Sequence, residues 1–173
     1  MAQRRGSNYD EEEFEDRVLD ISRVSKVTKG GRSLRFRVLV AIGDYEGTVG
    51  VGSGNTREIP QAIGQAVRDA QKHLIKVPIL EGTIPHQVTG HFKAGKVILK
   101  PAYRGTGVIA GDVVGTICRL AGLDNILTKS LGTNNPLTLA KATIEGLGRL
   151  KTPEEVAKRR GKDLRELEEV FEQ

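Results

Sequence analysis

Six Lys or Arg residues, Arg23, Lys26, Lys29, Arg32, Arg35 and Arg37, fall between Ile21 and Val40 with no Asp or Glu among them. They read as two strands turning at Lys29-Gly30-Gly31-Arg32, and a hairpin of this composition is suited to meet a phosphate backbone. A solvated basic face has a similar composition, so nucleic-acid contact and plain solubility are both open on this feature. The preceding residues pull the other way. Met1 to Asp20 hold seven carboxylates (Asp10, Glu11, Glu12, Glu13, Glu15, Asp16 and Asp20) against Arg4, Arg5 and Arg17, so the whole-chain charge of +5 understates the hairpin.

Other spacings suggest chemistry and then fail. Gly90 to Lys96 carries both glycines and the lysine of a phosphate-cradling loop, but Val97 stands where a hydroxyl must hold Mg²⁺, and Val97-Ile98-Leu99 continues as a strand. Gly105-Thr106-Gly107-Val108-Ile109-Ala110 fits a dinucleotide fingerprint with Asp124 near the expected distance. Pro101, however, ends the strand before it early, and no further βαβ unit follows. His73, His86 and His91 with one cysteine have no zinc spacing, and no Ser, His and acid grouping can be assembled. Cys118 sits among Val114, Ile117, Leu120 and Ala121 and reads as a buried, inert thiol that rules out an internal disulfide. No metal, cofactor or catalytic residue is expected.

Positioning these residues takes a modest number of elements. At 173 residues and 38% hydrophobic content, one domain or two small ones are both possible. No apolar run approaches a membrane span and the N-terminus has no apolar signal region, so the expectation is a soluble protein of the cytosol or an equivalent compartment such as an organellar stroma or matrix. The pI of about 9.4 with 4% aromatics and no Trp favours recognition by charge and shape, as on structured RNA. Leu34, Phe36, Val38, Val40 and Ile42 alternate with Arg35, Arg37, Leu39 and Ala41, a strand with one apolar and one partly basic face. With Val18 to Lys29 and Gly47 to Gly54 it predicts a three-stranded antiparallel meander. Ile59, Ile63, Ala66, Val67, Ala70 and Leu74 behind Pro60 predict a covering helix. Lys76 to Pro85 reads as a connection. A second unit follows with a hairpin (His86 to Phe92, Lys96 to Pro101), a helix (Asp112 to Ala121), a strand (Asn125 to Leu131) and a longer helix (Pro136 to Leu150). Gly82 to Gly111 again lacks acids, and Lys93, Lys96, Lys100 and Arg104 suggest a second basic surface. Thr152-Pro153-Glu154-Glu155 is a capping box that opens a last helix, and Leu164, Leu167, Val170 and Phe171 form an apolar stripe among Glu166, Glu168 and Glu169. That stripe fits packing on this protein or on a neighbour.

Arg23-Val24-Ser25-Lys26-Val27-Thr28-Lys29-Gly30-Gly31-Arg32, then Gly43-Asp44, Gly47 to Gly54, Ile84-Pro85-His86, Gly105 to Gly111 and Asn134-Asn135-Pro136 resemble, in that order, the bacterial-type small-subunit ribosomal protein S-five family. The likeness runs from about Val18 to Gly161. It implies an α+β chain with an N-terminal domain similar to double-stranded-RNA-binding modules, an antiparallel sheet plus helix, and a small C-terminal α/β domain of ββαβα order. The expected divisions are 1–17 (acidic, flexible), 18–80, 81–151 and a helical extension over 152–173. The resemblance further implies a structural role without catalysis. Such proteins bind small-subunit ribosomal RNA, support assembly, line the messenger RNA path where it enters the subunit, contact proteins S-four and S-eight, and influence accuracy at the S-four contact.

Carried onto this chain, the RNA-binding set is Arg23, Ser25, Lys26, Thr28, Lys29, Gly30, Gly31, Arg32, Arg35 and Arg37, with Arg57, Arg68 and Lys72 added. The hairpin is implied to enter the RNA near the spectinomycin-sensitive hinge between head and body. Tyr103, Arg104, Gly105, Thr106 and Gly107 are the implied contact with S-four. The chain departs from the family there, where a small residue followed by Glu or Pro is common. It also departs at Glu46, Asn55, Asp112 and Gly115, each of which removes positive charge or adds negative. A free-standing regulator that binds other structured RNA through the first domain is the alternative, and the match through the second domain favours the ribosome.

Overall fold

The alternation from Leu34 to Ile42 becomes β2 (Gly31–Gly43), which pairs on one side with β1 (Glu15–Thr28) and on the other with β3 (Thr48–Thr56). The computed structural model describes residues 14–161. A short β4 (Ile75–Lys76) extends the antiparallel sheet to the order β1-β2-β3-β4. Its two-residue length carries no periodicity, so a meander of three strands was all the pattern could predict. β1 starts at Glu15 rather than Val18, because Glu15 accepts a 2.8 Å hydrogen bond from the Tyr45 hydroxyl and pairs with Arg17, while Phe14 packs under the sheet.

Both faces of the inner half of β2 are buried. Val38, Val40 and Ile42 meet α1 (Ile59–Gln71) through Ala62, Ala66 and Ala70, residues one helical turn apart on the same face. Leu39 and Ala41, on the opposite face, belong to a second core with residues of the C-terminal half. The partly basic face read from Arg35 and Arg37 therefore turns apolar and buried towards Gly43. α1 approaches β3 very closely. A Cβ on Gly52 would lie 2.2 Å from the Ala66 carbonyl oxygen and the Ala70 nitrogen, and one on Gly54 2.0 Å from the Ala62 carbonyl oxygen.

The C-terminal unit is a second four-stranded sheet of order β5-β6-β8-β7, built from β5 (Val88–Phe92), β6 (Gly95–Pro101), β7 (Val108–Ile109) and β8 (Ile126–Leu131). The hairpin β5–β6 and the antiparallel β6–β8 pair follow the expected plan, and β7 runs parallel to β8 across α2 (Asp112–Leu120). α3 (Pro136–Gly148) starts on Asn135, whose side chain accepts from the Leu137 nitrogen. α4 (Pro153–Arg160) starts on Thr152, whose hydroxyl accepts from the Glu155 nitrogen, and ends on Gly161 at φ +63°. Of the two bonds that the capping-box spacing predicts, the one to the Thr152 hydroxyl forms. The apolar stripe from Leu164 to Phe171 lies outside the described residues, as does the acidic segment before Phe14.

The segment between the sheets is pinned down. The Val77 nitrogen donates to the Gly47 carbonyl at 2.7 Å, and Val77 and Ile84 are both buried in the shared core. That core joins Leu39, Ala41, Val49 and Val51 of the first sheet to Val97, Leu99 and Ile126 of the second through Ile117, Cys118 and Leu120 of α2. No helix of the described residues is long and apolar enough to cross a membrane.

Because backbone, not a flexible side chain, would meet the new methyl group, Gly52→Ala lowers stability by about 2 kcal/mol or more. Gly64 lies on the exposed side of α1 with open space around its Cβ position, so Gly64→Ala raises stability by about 0.4–1 kcal/mol. Urea midpoints at unchanged slope measure both.

Candidate nucleic-acid interface

β3 ends at Thr56 opposite Phe36, but β1 and β2 continue pairing from Val24 opposite Arg35 to Thr28 opposite Gly31. This overrun makes a two-stranded ribbon, about 17 Å long at 3.4 Å per residue, with no third strand beside it. Cross-strand partners share a face. One face therefore carries Lys26, Arg35 and Arg37 with Ser22 and Ser33, and the other carries Arg23, Ser25 and Arg32 with Leu34 and Phe36. Lys29 stands on the turn. Positive charge thus surrounds the ribbon, and no acid occurs between Ile21 and Val40.

The turn has a definite backbone requirement. Gly31 holds φ +136°, and the Thr28 hydroxyl donates to its carbonyl at 3.2 Å. Gly30 has no positive φ, and a Cβ there would meet nothing. The fold therefore needs glycine at Gly31 and leaves Gly30 free to serve another purpose. At the ribbon root the Arg37 Nε donates to the Ser22 hydroxyl at 3.3 Å. The Arg35 Nε is buried and makes no hydrogen bond among the described residues, an arrangement that an acceptor brought by a ligand would relieve.

Arg57 is exposed directly after β3, beside Phe36 and therefore at the same root. Arg68 and Lys72 are exposed further along, about 14 Å and 20 Å down the axis from Ile59 at 1.5 Å per residue. The structure therefore gathers Arg57 with the hairpin and sets Arg68 and Lys72 in a line away from it. The Asp69 carboxylate between them accepts from the Ser53 nitrogen at 3.0 Å and lies 3.6 Å from His73, which ties the last turn of the helix to β3. Val27, part of the hairpin that the resemblance implies enters RNA, is 70% exposed near the tip and lies across from Arg32.

The Tyr103 to Gly107 loop lies elsewhere, on the C-terminal unit. Gly105 and Gly107, at φ +90° and +76°, both donate their amides to the Asn125 side-chain oxygen, at 3.0 and 3.1 Å. Those amides are spent inside the protein, so the dinucleotide fingerprint does not offer them to a phosphate. Tyr103 is 92% exposed beside an open groove of about 880 Å³ that Leu80, Ile84, Pro85 and Pro101 also line. Arg104 Nε lies 3.8 Å from Glu81, an exposed pair worth little. The phosphate-loop lookalike has a similar explanation. A Cβ on Gly90 would lie 1.9 Å from the Ala142 carbonyl oxygen and one on Gly95 2.7 Å from the Thr138 methyl, so both glycines admit α3 against the sheet.

Residues 14–78 match the family described as ribosomal protein S5, N-terminal domain, and residues 90–160 match ribosomal protein S5, C-terminal domain. The chain is 54% identical over 149 residues to the small ribosomal subunit protein uS5 of Thermotoga neapolitana, covering 86% of this chain and 84% of that one. It is 52% identical over 160 residues to the protein of the same name from Thermotoga maritima, covering 92% and 88%. The chain belongs to the ribosomal protein S5 family. The observed order of an antiparallel sheet with its helix and then a second α/β unit agrees with both domains. Family membership makes this a structural protein rather than an enzyme.

At Asn55 and Glu46, two of the positions expected to depart from the family, the hydrogen bonds come from the backbone and do not depend on the side chain. The Asn55 nitrogen donates to the Gln65 side chain at 2.9 Å, and Glu46 sits in a turn that Asp44 holds by accepting from the Glu46 and Thr48 nitrogens, each at 2.8 Å. Burial pushes the Asp44 carboxyl up, and the hydrogen bonds from Thr48 and Glu46 more than offset it, leaving its pKa below the ordinary value. Gly115 is buried with Ala110 3.4 Å from its Cβ position, while Asp112 opens α2, where a carboxylate suits the helix dipole.

Burial pushes the Cys118 thiol up to about 12. Native protein at pH 8 therefore leaves Cys118 unmodified by a thiol-specific reagent, and labelling appears with unfolding in urea. For the turn, Gly31→Ala speeds amide exchange from Val24 to Arg35 by forcing a side chain into positive φ, whereas Gly30→Ala leaves that exchange as in wild type.

Proposed function

We propose that the chain is a structural constituent of the small ribosomal subunit that binds its ribosomal RNA and supports assembly of the particle in the cytoplasm. The observation that carries this reading is the acid-free ribbon projecting past the sheet on a chain with S5 sequence along most of its length. Lys26, Lys29 and Arg32 neutralise phosphates from both faces and the tip, with Arg23, Arg35 and Arg37 nearer the root. Ser25 and Thr28 add hydroxyl contacts, and Gly30 lets RNA backbone pack against the turn. Arg57 extends the contact from the root, and Arg68 and Lys72 meet phosphates further along α1.

In the same reading Tyr103, Arg104, Gly105, Thr106 and Gly107 contact protein S-four and act on translational accuracy. Protein S-eight is a second neighbour, and messenger RNA passes nearby as it enters the subunit. The exposed Tyr103, the groove beside it and a backbone fixed by Asn125 support a protein contact at this loop.

A tagged copy is expected to sediment with the small subunit through a high-salt wash. Release into free protein or other RNA particles sinks the ribosomal reading and favours an RNA-binding regulator. Replacing Lys26, Lys29 and Arg32 together with Ala weakens RNA affinity and reduces the slope of log affinity against log salt by about two units, given a little under one per phosphate. An unchanged slope removes the hairpin from the interface. Gly30→Ala, which the fold tolerates, weakens RNA binding at unchanged melting temperature. Arg104→Glu changes misreading in a reporter translation assay while the protein keeps its wild-type urea midpoint.

A further inference from the structure

The groove beside Tyr103 and the root of the last helix lie next to each other. Leu80, Ile84, Pro85, Pro101 and Ala102 line the groove with Tyr103, around an open volume of about 880 Å³. Leu80 and Tyr103 are 40% and 92% exposed, and a contiguous apolar lining of this kind gains by being covered. One residue after Pro85, the His86 Nε2 accepts from the Lys151 nitrogen at 3.1 Å, while Leu150 and Ala157 are buried. α4 is thereby rooted beside the groove. It runs about 12 Å at 1.5 Å per residue and ends at Gly161, where φ +63° turns the chain off the helix axis. Residues Lys162 to Gln173 follow, beyond the 90–160 match to the S5 C-terminal domain.

We propose that in the free protein this C-terminal segment folds back over the groove and sets Val170 and Phe171 against Leu80, Pro85 and Tyr103. The contact stands on the groove and the reach of the chain. Its role, keeping the Tyr103 to Gly107 loop covered until a partner displaces the segment, rests on the ribosomal reading above. From Gly161 to Phe171 the chain spans up to about 33 Å when extended, more than the length of α4 that it must retrace. Leu164, Leu167, Val170 and Phe171 supply apolar groups, and Asp163, Glu166, Glu168, Glu169 and Glu172 outweigh Lys162 and Arg165. The groove has the opposite sign. Lys100 and Arg104 flank Pro101 to Tyr103 in a stretch from Gly82 to Gly111 without acids, and Glu81 on the groove wall lies 3.8 Å from the Arg104 Nε. The ribbon attracts carboxylates too, but two strands with no third beside them form no recess for Phe171. A tethered segment escapes most of the entropy cost of association, so a shallow groove suffices to hold it, and a partner that buries more surface displaces it.

The test uses the free, full-length chain with a nitroxide on Gln173→Cys, which labels selectively because Cys118 is buried. Amide signals of Leu80, Thr83, Ala102 and Tyr103 are expected to lose intensity several-fold relative to the reduced label, while Gly30 at the ribbon tip keeps its intensity. Adding Phe171→Glu is expected to restore those signals at an unchanged urea midpoint. Groove signals that never weaken overturn the proposal, as do signals that stay weak in the Phe171→Glu chain. Loss confined to Arg23 to Arg37 overturns it and identifies the basic ribbon as the occupant. Loss of groove signals in an isotope-labelled chain mixed with a spin-labelled, isotope-free chain also overturns it, because a second copy then supplies the segment. Sedimentation with the small subunit reports separately on the ribosomal reading. A chain that sediments but shows no weakened groove signals loses only this contact. One that shows them and fails to sediment keeps the contact and loses its role as a cover for the loop.

Discussion

Burial of both faces of β2 between Val38 and Ile42 is the constraint on which the rest of the structure depends. A strand covered on one face only could shift its register by two residues and keep its apolar side inward. A strand clamped between α1 and the C-terminal unit cannot, because Leu39 and Ala41 must stay in the shared core while Val38, Val40 and Ile42 stay under the helix. The clamp is tight because α1 and β3 meet backbone to backbone through Ala62, Ala66 and Ala70 against Gly50, Gly52 and Gly54. With the register of β2 fixed, the point where β3 stops supporting it is fixed too.

Beyond Phe36 the ribbon has ladder hydrogen bonds and almost no core, and an isolated two-stranded hairpin is marginal in water. Its shape is carried by the clamped root, the Thr28 to Gly31 hydrogen bond and the glycine at positive φ. The same lack of packing frees its side chains for a ligand. Arg23, Lys26, Lys29 and Arg32 repel one another with no acid to offset them, so the chain holds electrostatic energy in the free state that a polyanion removes. Stability near the root and charge at the tip are thus separated along a single pair of strands.

Much of this was legible in sequence. The hairpin, the covering helix, the β5–β6 hairpin and the Thr152 cap each rest on periodicity or cap chemistry that survives folding. β4 and β7 were not legible because two residues cannot show a period, and both are placed by the strand next to them. The burial of Leu39 and Ala41 was not legible either. Alternation says which residues share a face, but whether a face meets water or another unit is settled by contacts far away in sequence. Among the candidate residues, Arg57 joins the hairpin, and Arg68 and Lys72 do not. That separation follows from the antiparallel course of α1 against β3, which composition cannot report.

The two glycine loops show why nucleotide-binding patterns arise in a chain of this kind. Glycine is selected at Gly90 and Gly95 by a helix pressing on a strand, and at Gly105 and Gly107 by positive φ around a single asparagine oxygen. A phosphate-binding loop needs glycine for the same two reasons, close approach and unusual backbone, with the added condition that the amides point at a ligand. Here the amides of Gly105 and Gly107 point at Asn125 and Lys96 lies on an outward sheet face. Consuming those amides internally fixes the backbone of the Tyr103 to Gly107 loop while leaving Tyr103 and Arg104 projecting. A rigid loop with exposed side chains is better matched to a protein neighbour than to a nucleotide, since little ordering entropy remains to oppose association.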